Sequence, residues 1–290
     1  MNTLVQKLLL KLAGLIALAL FGGILSATLV RFSPGYGIDE RELNPGLSHS
    51  SLDAIRSGHR ANSNLFHYYK SYLLGLAQGD LGTSEWLQIP VRDLVRERFP
   101  LTAKSVALGV LTAWTAALLL TLGGLFFRGP IYDVSTTLAT SLLVGLPYVV
   151  VALFFVYLRA PVFLAISTVL FPKLFRYMRN LIAHSAAQPC VLAARARGIK
   201  MPSIISRYVI RLAAPMLLSL FGVSVSMAFG AAIPIEALCD SPGVGQLAWQ
   251  AALNRDLPLI VNLTLILTLI TVAANALASF SHPAPAVRSS

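Results

Sequence analysis

The chain has 290 residues, 56% of them hydrophobic and only 12% charged, with a mean hydropathy of +0.71. A soluble domain carries about 25% charged residues, so this deficit, together with several apolar runs near 20 residues, argues against a soluble domain and for a polytopic membrane protein. The net charge is +11, and the two cysteines, Cys190 and Cys239, are too few for a disulfide framework and lack metal-ligand spacing.

In chain order, Leu12 to Val30 is apolar throughout and follows Lys7 and Lys11. At 1.5 Å per residue this run spans about 28 Å, close to a bilayer core. A secretory signal has a shorter apolar region and a small-x-small cleavage site. The run therefore reads as a retained first membrane helix. Residues 31–100 form a polar segment with eight basic and eight acidic residues. It is expected to hold short amphipathic helices near Leu52–Arg60 and Phe66–Leu76, where Phe66, Tyr69, Leu73, Leu74 and Leu76 roughly follow helical spacing. Leu101 to Phe127 is the second apolar span, with Lys104 near its start, where a long side chain can snorkel. Val134 to Leu158 is the third, broken by Gly145 and Pro147. Arg159-Ala160-Pro161 is a tight turn. The fourth helix starts at Val162, is apolar to about Leu174, and should continue through Arg176 and Arg179. Leu212 to Leu238 is the fifth span, Asp240 to Asp256 a polar loop, Leu257 to Phe280 the sixth span, and residues 281–290 a short tail. The expected fold is all-α, with six transmembrane helices and a helical extracytoplasmic segment after the first. The parts are 1–30, 31–100, 101–280 and the tail 281–290.

Charge distribution orients this arrangement. Between Pro172 and Arg211 lie eight basic residues (Lys173, Arg176, Arg179, Arg195, Arg197, Lys200, Arg207, Arg211) and no acidic one. Such a loop is the positive-inside signal of a membrane protein. This is a simpler reason for basicity than nucleic acid, which is not expected as a partner. Six spans with the N-terminus inside place the basic loop, about 176–211, on the cytoplasmic side, with the C-terminus. Cys190 and Cys239 then face opposite compartments and cannot pair.

No phosphate-binding loop, His-Glu-x-x-His or Gly-x-Ser-x-Gly motif occurs, so neither ATP binding by that route nor catalysis is expected. His49, His59 and His67 could share an outer metal site, but dispersed surface histidines are the plainer reading. Charges inside apolar spans usually mark function. Here Glu236, near the outer end of the fifth span and close to Pro234, is the notable one. It is either a gate or solute contact, or an interfacial carboxylate paired with a neighbour. Without a buried carboxylate relay a proton-driven carrier is not supported. Energy must then enter elsewhere, and the basic loop is the natural inlet.

Four strings in order carry a resemblance. Tyr69-Lys70-Ser71-Tyr72-Leu73 through Gly79-Asp80-Leu81-Gly82-Thr83-Ser84 is the first. Pro90-Val91 with Arg98-Phe99-Pro100-Leu101-Thr102 is the second. Ala194-Arg195-Ala196-Arg197-Gly198 is the third. Glu236 with Pro242-Gly243-Val244-Gly245 and Arg255-Asp256-Leu257-Pro258 is the fourth. Together they resemble the inner-membrane permease subunits of binding-protein-dependent ABC importers of the dipeptide, oligopeptide and nickel type, with a type I importer fold. The resemblance implies that this chain forms half of a pathway with a homologous permease. Two ATP-binding cassette subunits would bind the ATP, so the chain needs no cofactor of its own, and an extracytoplasmic binding protein would deliver solute.

The resemblance assigns coupling to the ATPase to Ala193, Ala194, Arg195, Ala196, Arg197, Gly198 and Pro215. It assigns a gate or outer loop to Glu236, Pro242, Gly243, Gly245, Arg255 and Asp256, and a binding-protein side to Gly79, Asp80, Gly82 and Ser84. Peptides are the expected solutes, with nickel or another small solute, or a non-transporting scaffold, as alternatives. The sequence departs from the family in four places. Pro34-Gly35-Tyr36-Gly37 stands for the usual Pro-Gly-Asp-Pro, the outer turn at Arg159–Pro161 is short, Val191-Leu192 precede Ala193 without an acidic residue, and the tail lacks the family's terminal Asp-Pro-Arg.

Overall fold

The computed structural model describes residues 78–126 and 129–280, besides the single residues Gly14, Thr28 and Gly75. The expected first span, the helices near 52–60 and 66–76, the three outer histidines and the tail lie outside the described residues. The described chain is helical: α1 (Val91–Phe126), α2 (Pro130–Gly145), α3 (Tyr148–Tyr157), α4 (Val162–Ala186), α5 (Pro189–Ala196), α6 (Met201–Leu238), α7 (Val244–Leu253) and α8 (Leu257–Phe280). Among the described residues the only extended pairing is one isolated bridge between Thr83 and Pro90. In lipid, helices satisfy their own backbone polar groups, which open strands cannot do.

α1, α6 and α8 are long and apolar enough to cross a bilayer, and α2 with α3 would make a fourth crossing if that bent pair is one span. The pair bends by 96° where Gly145 ends one helix and Pro147, lacking an N–H, starts the next. α4 has 25 residues, but Lys173, Arg176 and Arg179 interrupt its apolar run. α1 begins ten residues before the expected Leu101, because Pro100 is tolerated inside the helix rather than starting it. The basic segment expected as a loop over 176–211 is mostly helix: α4 runs to Ala186 and α6 starts at Met201. The segment 240–256 is not a plain loop, since α7 occupies most of it. Leu247 and Ala251, one turn apart, are its buried face.

The chain forms two compact units. In the unit of Phe99–Gln246 with 269–280, α4 is central. Its Ala165, Ile166, Val169, Leu170, Leu174, Phe175, Met178 and Ile182 follow the helical period and are all buried. α6 packs along it. α1 approaches α4 closely at Gly109, where a Cβ would lie 2.8 Å from Ile166 Cγ2 and 3.1 Å from the Phe163 carbonyl. Close approach through small residues is how helices associate in lipid, where apolar burial against apolar solvent gives little drive. Trp114 of α1 donates to the Ser224 hydroxyl of α6 at 2.9 Å and meets Phe221 edge-on at 5.5 Å.

Three helix ends turn through left-handed residues that carry side chains: Arg159 after α3, Asp240 after α6 and Arg255 after α7, with φ of 51°, 49° and 54°. In each case the next amide reaches back into the final turn, as in the Ala160 N–H to Phe155 carbonyl bond of 3.0 Å.

The α1–α4 contact gives a steric test. Gly109→Ala should lower the melting temperature of the purified protein in detergent, and adding Ile166→Ala should restore part of the loss, as expected for coupled neighbours. Equal melting of wild type and Gly109→Ala would contradict the close approach.

Candidate functional site

The segment between α4 and α6 is built around α5. Pro189 takes the first helical position, where its missing N–H is no loss. The helix ends at Gly198, whose φ of +75° favours a residue without Cβ. The Gly198 N–H donates to the Arg195 carbonyl at 2.9 Å and the Ile199 N–H to the Ala194 carbonyl at 3.3 Å. This closes the last turn. Val191 and Ala194 are buried in a cluster with Ile182, Ile204, Val209 and Ala213, so α5 is anchored by one face.

Of the expected coupling residues, Ala193, Ala196, Arg197 and Gly198 are exposed and Arg195 is half-exposed. Arg195 Nε is buried with no hydrogen-bond partner. Ala194 is 3% exposed; it faces inward and is not free to touch a partner. Pro215 lies well inside α6, away from the exposed segment. Between the start of α6 and its long apolar part, Ile205–Val209 form a π-turn, with the Ile210 N–H bonded to the Ile205 carbonyl. Such single π-turns are frequent at functional sites.

The second cluster joins the end of α6 to the start of α7. Glu236 is 1% exposed and is paired with its neighbours, as the second of its two expected readings had it. Its Oε2 accepts from the Thr102 hydroxyl at 3.0 Å and from the Gly245 N–H at 2.8 Å. Thr102 Oγ1 in turn accepts from the Val244 N–H at 2.8 Å. Two otherwise unpaired amides of the first turn of α7 are thus satisfied from α6 and α1. The glycines make the approach possible. A Cβ on Gly243 would collide with the Glu236 carboxylate and the Thr102 hydroxyl, and one on Gly245 would sit 2.7 Å from Ile233 Cα. Asp240 bonds the Gln246 side chain, while Pro242 is exposed.

The third cluster lies in the other compact unit, residues 78–98 with Leu247–Thr268. Asp256, 1% exposed, caps α8 through the Leu259 N–H at 3.1 Å. The same carboxylate accepts from the Ser84 hydroxyl and from the Trp86 N–H, the latter at 3.1 Å. Asn262 of α8 is fully buried and donates to the Leu81 carbonyl at 2.8 Å. Asp80 accepts from the Gly82 N–H at 2.8 Å and shapes the turn. Gly79, Asp80 and Gly82 are exposed, while Ser84 is buried and serves as an anchor. The structure thus joins sequence strings some 170 residues apart, Ser84 with Asp256. It also joins Glu236 with Gly243 and Gly245. Sequence reasoning quoted Thr102 without giving it a role and missed Trp86 and Asn262. A buried Asn within an apolar span is a signal that could have found Asn262.

These clusters sit on helices of a recognisable family. Residues 105–284, more than half of the chain, match the family described as the binding-protein-dependent transport system inner membrane component. The chain belongs to that family and is an inner-membrane ABC importer permease, a multi-pass membrane protein. It is 29% identical over 269 residues to the oligopeptide transport system permease protein OppB of Escherichia coli K12, covering 83% of this chain and 85% of that one. It is 25% identical over 309 residues to a candidate peptide permease protein of Brucella suis, covering 96% and 95%. It is also 24% identical over 264 residues to the metal-staphylopine import system permease protein CntB of Staphylococcus aureus, covering 85% of each.

Removing a buried acceptor tests whether each carboxylate holds the start of its helix. Glu236→Ala and Asp256→Ala leave buried amides unpaired and should each destabilise by about 1–3 kcal/mol. Glu236→Gln keeps a carbonyl oxygen for the same donors and should lose less. Thermal unfolding in detergent measures both, and equal stability of Glu236→Ala and wild type would remove the proposed anchor of α7.

Proposed function

We propose that this chain forms half of the transmembrane pathway of a bacterial importer for di- or oligopeptides, driven by ATP hydrolysis on partner subunits. The observation that carries this reading is the likeness, over most of both chains, to permeases named for oligopeptides. The second reading, a metal-complex importer, is favoured by the likeness to the metal-staphylopine permease. Partners would be a homologous second permease, two ATP-binding cassette subunits and an extracytoplasmic solute-binding protein. Both termini would be cytoplasmic, with the polar segment 31–100 outside and the α5 segment inside.

In this reading the ATPase seats against the outward face of α5: Leu192, Ala193, Ala196, Arg197 and Gly198, with Arg195 at the edge. Val191 and Ala194 hold α5 to α4 and α6, so a push on α5 reaches the membrane helices through packed side chains. The cluster of Glu236, Gly243 and Gly245, with Pro242, would act as an outer gate, and Arg255 and Asp256 would belong to the outer loop. The turn at Gly79, Asp80 and Gly82, anchored by Ser84, would face the binding protein.

The test is reconstitution of the complete complex in proteoliposomes. Its ATP hydrolysis should be stimulated by the binding protein loaded with a labelled oligopeptide and not by the same protein loaded with a nickel chelate. The reverse preference would replace the peptide reading with the metal one. Arg197→Glu should reduce retention of the ATPase subunits on co-purification by about tenfold, the loss of one charge-assisted contact. Full retention and coupled uptake in Arg197→Glu would refute the placement of the ATPase on this face.

A further inference from the structure

α4 has two unlike faces. The inward one is apolar and buried, as described above. The outward one carries Lys173, Arg176, Tyr177, Asn180 and His184, all exposed or half-exposed and spaced by three or four residues, so they form one stripe. No acidic residue occurs from Pro172 to Arg211 to neutralise it.

Two contacts fix how the charges lie along the crossing. Near the start of α2, Asp133 accepts from Arg179 at 2.7 Å and Thr137 from the same side chain at 3.2 Å. Past the other end of α2, the Tyr148 hydroxyl accepts from Lys173 Nζ at 3.1 Å, and the ammonium lies 5.4 Å from the ring centroid. α2 has 16 residues, about 24 Å at 1.5 Å per residue. Along α4 itself, Lys173 to Arg179 covers six residues, about 9 Å at 1.5 Å per residue. Beside them, the side chains of Arg176, Tyr177 and Asn180 make no hydrogen bond or ion pair among the described residues.

Such a stripe does not face hydrocarbon cheaply: each Arg or Lys at mid-bilayer costs about 2.5–3.5 kcal/mol. Of the acidic groups in the described helices, Asp133 is already paired with Arg179, Glu236 is buried at α7, and Asp93 and Glu97 lie in the first two turns of α1. A neighbour that suits this face is water carrying a solute of opposite charge.

We propose that the Lys173–Arg176–Asn180 face of α4 lines the solute pathway and selects solutes that bear a carboxylate. Lys173 and Arg176 are the charge contacts; Tyr177 and Asn180 offer hydrogen bonds between them. This deepens the peptide reading and rests on it for the cargo, since a peptide with a free C-terminus carries that group.

Two measurements on the assembled complex in proteoliposomes decide it. In the first, Asn180→Cys is placed in a background of Cys190→Ser and Cys239→Ser. An anionic sulfonate methanethiosulfonate should modify it about tenfold faster than the cationic trimethylammonium reagent. Adding Lys173→Met with Arg176→Gln should abolish that preference. In the second, initial uptake of trialanine is compared with that of trialaninamide, which lacks the carboxylate. The ratio should fall about tenfold in Lys173→Met with Arg176→Gln, and the preference of the binding protein cancels because it is common to both complexes. Modification by neither reagent, or equally by both, overturns the pathway assignment. An unchanged uptake ratio in an intact complex overturns the carboxylate selection. Loss of the second permease from the double variant would assign the stripe to a subunit contact and also overturn it. If the wild type imports neither peptide, the peptide reading fails, and the thiol measurement still decides whether the face is a cationic aqueous path.

Discussion

The close seating of α4 is the constraint on which the larger unit depends. Its inward face is filled by Ile166, Leu170, Leu174, Phe175 and Met178, each no more than 1% exposed. α1 reaches it only because position 109 lacks a side chain. In a bilayer the alternative to such contact is contact with equally apolar lipid, so shape rather than aversion to water decides which helices touch. One face of α4 is thereby committed to the interior, and the orientation of its charged face follows without further freedom. The cluster that holds α5 is an extension of the same packing, since Ile182 belongs to α4 and Val209 and Ala213 to α6.

Polar groups play a complementary part. Glu236 and Asp256 are both buried, and each holds the first turn of a helix: Glu236 that of α7, Asp256 that of α8. Each also ties in a distant part of its own unit, Thr102 for Glu236 and Ser84 with Trp86 for Asp256. A carboxylate so placed is directional in a way that packing is not, because its donors must arrive at set distances and angles. Where packing leaves a helix free to slide, these bonds fix its start.

Much of this was legible before the structure. The long apolar runs gave the helices their type, and the turn at Arg159–Pro161, the break at Gly145 and Pro147 and the bounds of α8 agree with expectation. Gly198 was marked by its position after an alanine-rich turn, and its left-handed backbone bears that out. Three things were not legible, for separable reasons. The second span was bounded at Leu101 by its apolar run, yet the helix of 36 residues begins in the polar stretch before it and continues through Pro100. α7 was hidden because Gln246, Trp249 and Gln250 dilute the spacing of Leu247 and Ala251. The partners of Glu236 were not legible because they are a backbone amide and a hydroxyl, which carry no charge pattern along the sequence. The stripe on α4 fell at the boundary between an apolar reading and a basic one, so each half was assigned to a different element.

The left-handed helix ends carry a practical consequence. Arg159, Asp240 and Arg255 each hold a conformation that disfavours a Cβ by roughly 1–2 kcal/mol, and Asp240 also serves as an acceptor for Gln246. The short turn at Arg159 therefore offers room for engineering. A glycine there would relieve local strain without touching α5, α7 or the basic face of α4, and would yield a hardier sample for purification and crystallisation of an otherwise unaltered permease.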